Sequence, residues 1–201
     1  MKKIFAAIVA VLFAAPSFAQ MGSGGFSLNE STTYYGLRMG LNVSTITGDL
    51  IDLDSKAGMT LGGVIGLRVS DSTPIFVESG LYYSARGAKD FNLNYLEIPV
   101  LIKYGIQATD EIAILPYIGP YFSYGIGGKY KAGGAKRSSY NWVNHADMGF
   151  KLGCGAEFNK LYAELGYQFG VMNIAQDDVT YNPADEAAHT GNFFINVGIN
   201  F

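Results

Sequence analysis

Apolar and polar residues alternate strictly over segments of about ten residues, and this alternation constrains the fold more than any other feature of the chain. In the last segment every second residue from Phe193 to Phe201 is apolar, and Phe194 is the only large apolar residue between them. Because successive side chains of a β-strand point to opposite faces, a period of two predicts strands with one apolar and one polar face. After residue 19 no apolar run is long enough for a membrane-spanning helix, so we expect an all-β fold.

The alternation recurs in eight segments, and an even number of antiparallel strands is typical of membrane barrels. The segments are residues 35–43, 59–69, 75–84, 96–105, 112–126, 147–158, 161–170 and 192–201. The fifth segment is apolar on both faces and contains Pro116 and Pro120, so its orientation stays open.

Tight and long connections alternate between these segments. The tight ones are residues 70–73, 107–111 and 159–160, and the long ones lie near residues 45–58, 85–92, 127–146 and 172–191. This asymmetry predicts short periplasmic turns and long external loops.

Glycine indicates which face of the strands lies inside. It accounts for 26 of 201 residues and recurs on the polar face of nearly every segment. A soluble barrel with an apolar lumen would alternate as well, but glycine weakens a strand and gains nothing on a water-facing surface. The lumen of an eight-stranded barrel is narrow and has little room for side chains. We therefore expect an eight-stranded antiparallel up-and-down transmembrane β-barrel, with its polar face inside and its apolar face towards lipid.

The N-terminus has the layout of a secretory signal. Lys2 and Lys3 precede an apolar run, and the small residues Ser17 and Ala19 flank Phe18 before Gln20. We expect residues 1–19 to be a cleaved signal peptide, residues 20–33 a short periplasmic segment and residues 34–201 the barrel. We expect this signal to export the chain through the inner membrane and the barrel to lie in the outer membrane of a Gram-negative cell.

Four sequence stretches carry a resemblance to a known family. They are YGLRMGLNVSTITGD (35–49), SGLYYSARGAK (79–89), NYLEIPVLIKY (94–104) and DMGFKLGCGAEF (147–158). With the ending at Phe201, the chain resembles the PorT-like outer-membrane β-barrel family, loosely described as a porin family. The resemblance implies this fold and location and no shared activity. It also raises the hypothesis of an accessory barrel in a secretion or assembly machine.

Eight charged residues, four of each sign, fall on the polar face of the strands. They are Arg38, Arg68, Lys103, Lys151, Glu78, Glu97, Glu157 and Glu164. Charges in a narrow interior are tolerated when they are paired, so we expect a lumen ion-pair network that closes the barrel. The alternative is a charged constriction that selects small solutes.

The C-terminal strand has the form that barrel-insertion machinery recognises. The predicted insertion signal is Phe193, Ile195, Val197, Ile199 and Phe201. Outer-membrane lipid and this machinery are therefore the expected partners.

The loops differ in charge. The loop near 127–146 carries Lys129, Lys131, Lys136 and Arg137, and the loop near 172–191 carries Asp177, Asp178, Asp185 and Glu186. The basic run could meet anionic lipid head groups or a protein partner at the external loops. The net charge of −3 argues against nucleic acid as a partner.

The sequence contains no nucleophile motif, cofactor motif or metal-ligand spacing, so we predict neither an enzyme nor a cofactor. The expected function is that of an integral outer-membrane barrel with a polar, largely closed lumen, which acts through its external loops in a structural or binding role. The alternatives are a small-solute channel, or an accessory barrel of a secretion or assembly machine.

Overall fold

The computed structural model describes residues 33–48, 52–70, 72–88, 91–132, 135–141, 143–174 and 188–201. The expected signal peptide, most of the expected periplasmic segment and the acidic residues of the last loop lie outside the described residues. No helix within the described residues is long and apolar enough to cross a membrane.

Eight long antiparallel strands form a closed ring in the described part of the chain, which confirms the predicted fold class. Their bounds are β1 Thr33–Gly48, β2 Asp52–Arg68, β3 Ile75–Ala88, β4 Phe91–Tyr104, β5 Ile112–Gly127, β6 Ala146–Phe158, β7 Leu161–Gly170 and β8 Ala188–Asn200. Each strand pairs with the next along the chain, and β8 pairs with β1 in a register that places Ile199 opposite Leu37. The ring therefore has the up-and-down order in which no strand edge is left open.

Shorter elements lie at the ends of the barrel. Ile106–Gln107 pairs with the start of β5 at the end that carries the tight turns. At the opposite end, strands Lys129–Ala132 and Ala135–Ser138 form a hairpin, which a 3-10 helix at Ser139–Asn141 follows.

The two faces of the wall are inverted relative to a soluble protein. The outward side chains are apolar and exposed: Leu41 is 71% exposed and Leu165 is 55% exposed. The inward face carries charged side chains such as Arg38 and Glu97, each 1% exposed. Apolar side chains outside and polar groups inside are the arrangement that a lipid environment requires.

The structure assigns the orientation of the fifth strand, which the sequence left open. Leu115, Tyr117 and Tyr121 of β5 are buried in the lumen, whereas Ile118 and Phe122 are exposed on the outer wall. Both faces of β5 are largely apolar because this strand supplies Leu115, Tyr117 and Tyr121 to the lumen.

The predictions of long loops near residues 45–58 and 85–92 are wrong, because strand pairing continues through most of both segments. β1 and β2 extend to Gly48 and Asp52, and β3 and β4 extend to Ala88 and Phe91, which pair with each other. Backbone hydrogen bonds hold these extensions, so they need no apolar face and the membrane pattern fades there. One consequence is that Arg86, which the sequence pattern placed in a loop, lies inside the barrel.

The seam between the first and last strands yields a prediction about assembly. The Phe201 amide donates to the Tyr35 carbonyl at 2.7 Å, and the Tyr35 amide donates to the Phe201 carbonyl at 3.3 Å. Deletion of Phe201 removes both bonds and the final apolar side chain, so we expect less protein in the outer membrane. Quantification of membrane-inserted protein checks this, with Phe201→Leu as the control that keeps the bonds. Wild-type amounts of the truncated protein would rule out Phe201 as part of an insertion signal.

Candidate functional site in the barrel lumen

Three apolar layers divide the lumen into two polar compartments. The periplasmic layer consists of Tyr34, Phe76, Ala113, Leu115 and Tyr162. The middle layer consists of Leu101, Tyr117 and Phe194. The outer layer consists of Ile46, Ala88, Leu93, Tyr95, Tyr140, Val143, Ile174 and Ala188. Most of these side chains come from inward positions of the strands, and Tyr140, Val143 and Ile174 come from the segments after the hairpin and after β7.

Glycines on the inner face make room for the aromatic rings. At Gly155 of β6 a Cβ atom would collide with the ring of Tyr162, which occupies the space beside the strand. Gly62, Gly66 and Gly153 likewise lie against the rings of lumen tyrosines.

The first polar compartment lies between the periplasmic and middle layers, and Glu78 is at its centre. Glu78 Oε2 accepts a hydrogen bond from Tyr34 OH at 2.6 Å and lies 2.8 Å from Lys103 Nζ and 3.7 Å from Arg38 Nη2. The guanidinium of Arg38 also stacks on the Tyr162 ring, 3.9 Å from its centroid. Glu78 thus pairs with two cationic side chains, Arg38 and Lys103, and both are almost completely buried.

Two further carboxylates in this compartment are held by neutral donors. Glu164 accepts hydrogen bonds from Asn196 Nδ2 at 2.7 Å and from Tyr162 OH at 3.2 Å. Glu157 accepts from Asn200 Nδ2 at 2.8 Å, and the Oδ1 atom of Asn200 accepts from Arg38 Nη2 at 2.6 Å. The amide of Asn200 therefore connects Glu157 to Arg38.

The second polar compartment lies between the middle and outer layers, and Glu97 is at its centre. Glu97 Oε1 lies 3.1 Å from Lys151 Nζ, and Glu97 Oε2 accepts from Gln168 Nε2 at 2.6 Å. The Oε2 atom also forms an ion pair with Arg86 and a longer hydrogen bond from Ser123 Oγ at 3.5 Å. One carboxylate on β4 thus connects side chains of β3, β5, β6 and β7 across the lumen.

The structure places seven of the eight charged residues of the predicted network in these two compartments. Arg68 differs: it ends β2 at the periplasmic end, is half-buried, and donates from Nε to the Ser70 carbonyl at 2.8 Å. Arg68 is the last residue of β2, and this bond joins its side chain to the residues that follow the strand.

Sequence reasoning missed two buried charged residues of the lumen. Arg86 could have been found by continuing the alternation of β3, because it lies on the same face as Glu78 and Ser84. Asp147 lies on the inward face of β6 and is buried beside the predicted network. Its Oδ2 atom accepts from Thr190 Oγ1 at 3.0 Å and from Tyr121 OH at 3.3 Å.

In the part of the chain that the structure describes, no group of three or more His, Cys, Asp or Glu side chains is placed to hold a metal ion. The chemistry that the compartments provide is paired charge and hydrogen bonding in a space closed by aromatic layers. Such an arrangement stabilises the interior of a membrane barrel.

Comparison with known sequences agrees with the closed barrel and its apolar outer wall. Residues 18–176 match the model of the family described as outer membrane protein beta-barrel domain. The chain belongs to this family. Membership of the outer membrane protein beta-barrel family places the protein in the outer membrane. A search of curated proteins finds no match.

Two solved structures have the same fold as this chain. Neisserial surface protein A is 14% identical, with a TM-score of 0.51, and the match covers 85% of this chain and 98% of that one. A major outer membrane protein from Thermus thermophilus is 10% identical, with a TM-score of 0.53, and the match covers 85% of this chain and 100% of that one. At these identities the likeness extends to the fold alone.

Proposed function

We propose that this outer-membrane barrel does not conduct solutes and that it acts through its external end in a structural or binding role. One observation carries the proposal: side chains fill the lumen at successive levels, and its charged groups are paired away from solvent. Glu97 and Lys103 are each 1% exposed, and Lys151 is 3% exposed. In a water-filled pore such charges would be hydrated and exposed. The small-solute channel is therefore the less supported alternative.

The basic hairpin, residues 129–132 and 135–138, is the external feature best suited to bind a partner. It continues from the barrel wall, since Tyr130 pairs with Phe91 of β4. Its register places Lys131 opposite Lys136 and Tyr130 opposite Arg137. Concentrated positive charge beside an aromatic residue favours an anionic partner, either lipid head groups or an acidic protein surface.

The resemblance to PorT-like barrels adds a second form of the same proposal. In that form the external or periplasmic end docks on a secretion or assembly machine, and the protein is exported by its N-terminal signal. In that case we expect a protein to co-purify with the barrel in a fixed stoichiometry, instead of lipid.

Co-purification from outer membranes in mild detergent tests the hairpin. We expect the double variant Lys131→Glu/Lys136→Glu to lose anionic lipid or protein that the wild type retains, as measured by mass spectrometry of the purified barrel. Lys160→Glu, at the periplasmic turn, is the matched control with one reversed charge away from the hairpin. Equal retention by all three proteins would contradict a binding role for the hairpin.

A further inference from the structure

A groove runs along the outer wall of the barrel where the first and last strands meet. It is lined by the outward side chains of three successive pairs between β1 and β8: Met39 with Val197, Leu41 with Ile195, and Val43 with Phe193. Its volume is about 450 Å³, which lies within the range of ligand-binding clefts. These six side chains are between 42% and 71% exposed, so the groove opens outwards, towards lipid.

The external end of the groove carries a hydrogen-bonding group. The next outward position of β8 after Phe193 is Gly191, which has no side chain. The hydroxyl of Tyr167 occupies part of this space, since a Cβ atom at Gly191 would lie 2.5 Å from the Tyr167 oxygen. At the other end of the groove the next pair, Leu37 with Ile199, is apolar. The groove therefore suits an amphiphile whose polar part points to the cell exterior.

The groove is as long as one leaflet of the membrane is deep. It starts at Val197, one outward position from Ile195, which pairs with Leu165 halfway along β7. From Val197 to Gly191, β8 spans six residues, about 20 Å at 3.3 Å per residue. A strand tilt of about 40° reduces this length to about 15 Å of depth, half of the ~30 Å hydrocarbon core. The groove thus extends from the middle of the bilayer to its outer interface.

We infer that this groove binds the acyl chain of an outer-leaflet lipid, and that Tyr167 OH donates a hydrogen bond to the ester carbonyl of that lipid. The ester group of a membrane lipid lies where the hydrocarbon meets the head groups, and tyrosine side chains are enriched at the same depth. The groove is continuous with a wall that already contacts lipid. A second copy of the barrel would present another convex wall to this seam, whereas a single flexible chain follows a groove along the strands.

The groove and the basic hairpin are separate surfaces, so binding to one can be lost without the other. The hairpin continues from β4 through the pair of Phe91 with Tyr130, whereas the groove lies between β1 and β8. The hairpin favours negative charge, and the residues that line the groove are uncharged. A lipid without net charge therefore probes the groove.

Native mass spectrometry of the purified barrel tests this site. The probe is an equal mixture of a phosphatidylcholine with two ester-linked chains and its diether analogue, which has the same head group but no ester carbonyls. We expect the wild type to retain one lipid molecule and to prefer the ester lipid about fivefold, the ratio that one hydrogen bond provides. Ile195→Trp fills the groove and should lower the lipid-bound fraction at least fivefold. Ile102→Trp is the matched control on β4, where the isoleucine is similarly exposed, and should retain the lipid.

Two further variants test the hydrogen bond from Tyr167. Tyr167→Phe keeps the ring and removes the hydroxyl, so it should bind the ester and ether lipids equally. Gly191→Ala should also weaken the preference, because the added Cβ atom displaces the hydroxyl. Gly127→Ala is the control for this change, since a Cβ atom there meets only Asn94 Nδ2, at 3.9 Å, and it should keep the wild-type preference.

Three results would overturn the inference. Equal lipid retention by Ile195→Trp and Ile102→Trp would exclude the groove as the binding site. An unchanged ester preference in Tyr167→Phe would exclude the hydrogen bond. A wild-type dimer without bound lipid, which Ile195→Trp separates into monomers, would show that a second copy of the chain occupies the seam.

Discussion

Glu97→Gln should lower the free energy of unfolding of the barrel by about 3–5 kcal/mol, the usual effect of breaking a buried ion pair by removing one partner. The substitution leaves Lys151 and Arg86 as buried cations without their carboxylate. It also places a neutral amide where the Gln168 amide donates at 2.6 Å. Because Glu97 connects five strands, the loss affects the whole outer compartment.

Urea unfolding of the barrel in lipid vesicles measures this loss. Glu111→Gln is the matched control: it removes the same charge from an exposed turn at the periplasmic end, and we expect an unchanged unfolding midpoint. Unchanged midpoints for both variants would mean that Glu97 is hydrated, and the ion-pair account of the lumen would be wrong.

Leu165→Arg should destabilise the barrel by about 2–4 kcal/mol, the cost of an arginine on the lipid face near the middle of the bilayer. Leu165 lies halfway along β7 and its side chain points outwards. A charged group there must leave water or distort the surrounding lipid.

The control for this prediction lies on the same strand and face. Leu161 begins β7 at the periplasmic turn and is also exposed, at 59%. The energetic penalty of a lipid-facing arginine is smaller near the membrane interface than at the middle of the bilayer. We therefore expect Leu161→Arg to lower the free energy of unfolding by about 1 kcal/mol or less. The free energies of unfolding of the two variants in lipid vesicles, compared with that of the wild type, check this difference. Equal, small effects would argue that this face of the barrel is not in contact with lipid.

The fold could be predicted because strand alternation is a local property that the sequence displays directly. In β7 and β8 the period of two predicts which residues share a face of the strand. The glycines on one face predict that this face lines the lumen. β5 could not be oriented, since the rings of Tyr117 and Tyr121 on its inner face are large and mostly apolar, and residues such as Ile118 on its outer face are apolar as well. The extents of β1 to β4 were underestimated because their outer ends are held by backbone pairing and not by contact with lipid.

The candidate site could be predicted in composition but not in its pairings. Seven charged residues of the expected network lie in the lumen, whereas the partners of Glu97 come from β3, β5, β6 and β7. Contacts across a barrel depend on the stagger and tilt of all its strands, which no short stretch of sequence contains. The position of Tyr140 was beyond prediction for a related reason. Tyr140 reaches the lumen from a loop, where alternation gives no information about direction.

Ion conductance of the purified wild-type barrel in a planar bilayer tests the closed lumen most directly. We expect no steady conductance, because the apolar layers and the paired charges of Glu78 and Glu97 fill the interior. Steady wild-type conductance whose ion selectivity changes in Glu97→Gln and Lys103→Met would contradict the account, since it would show that these side chains line a hydrated pore.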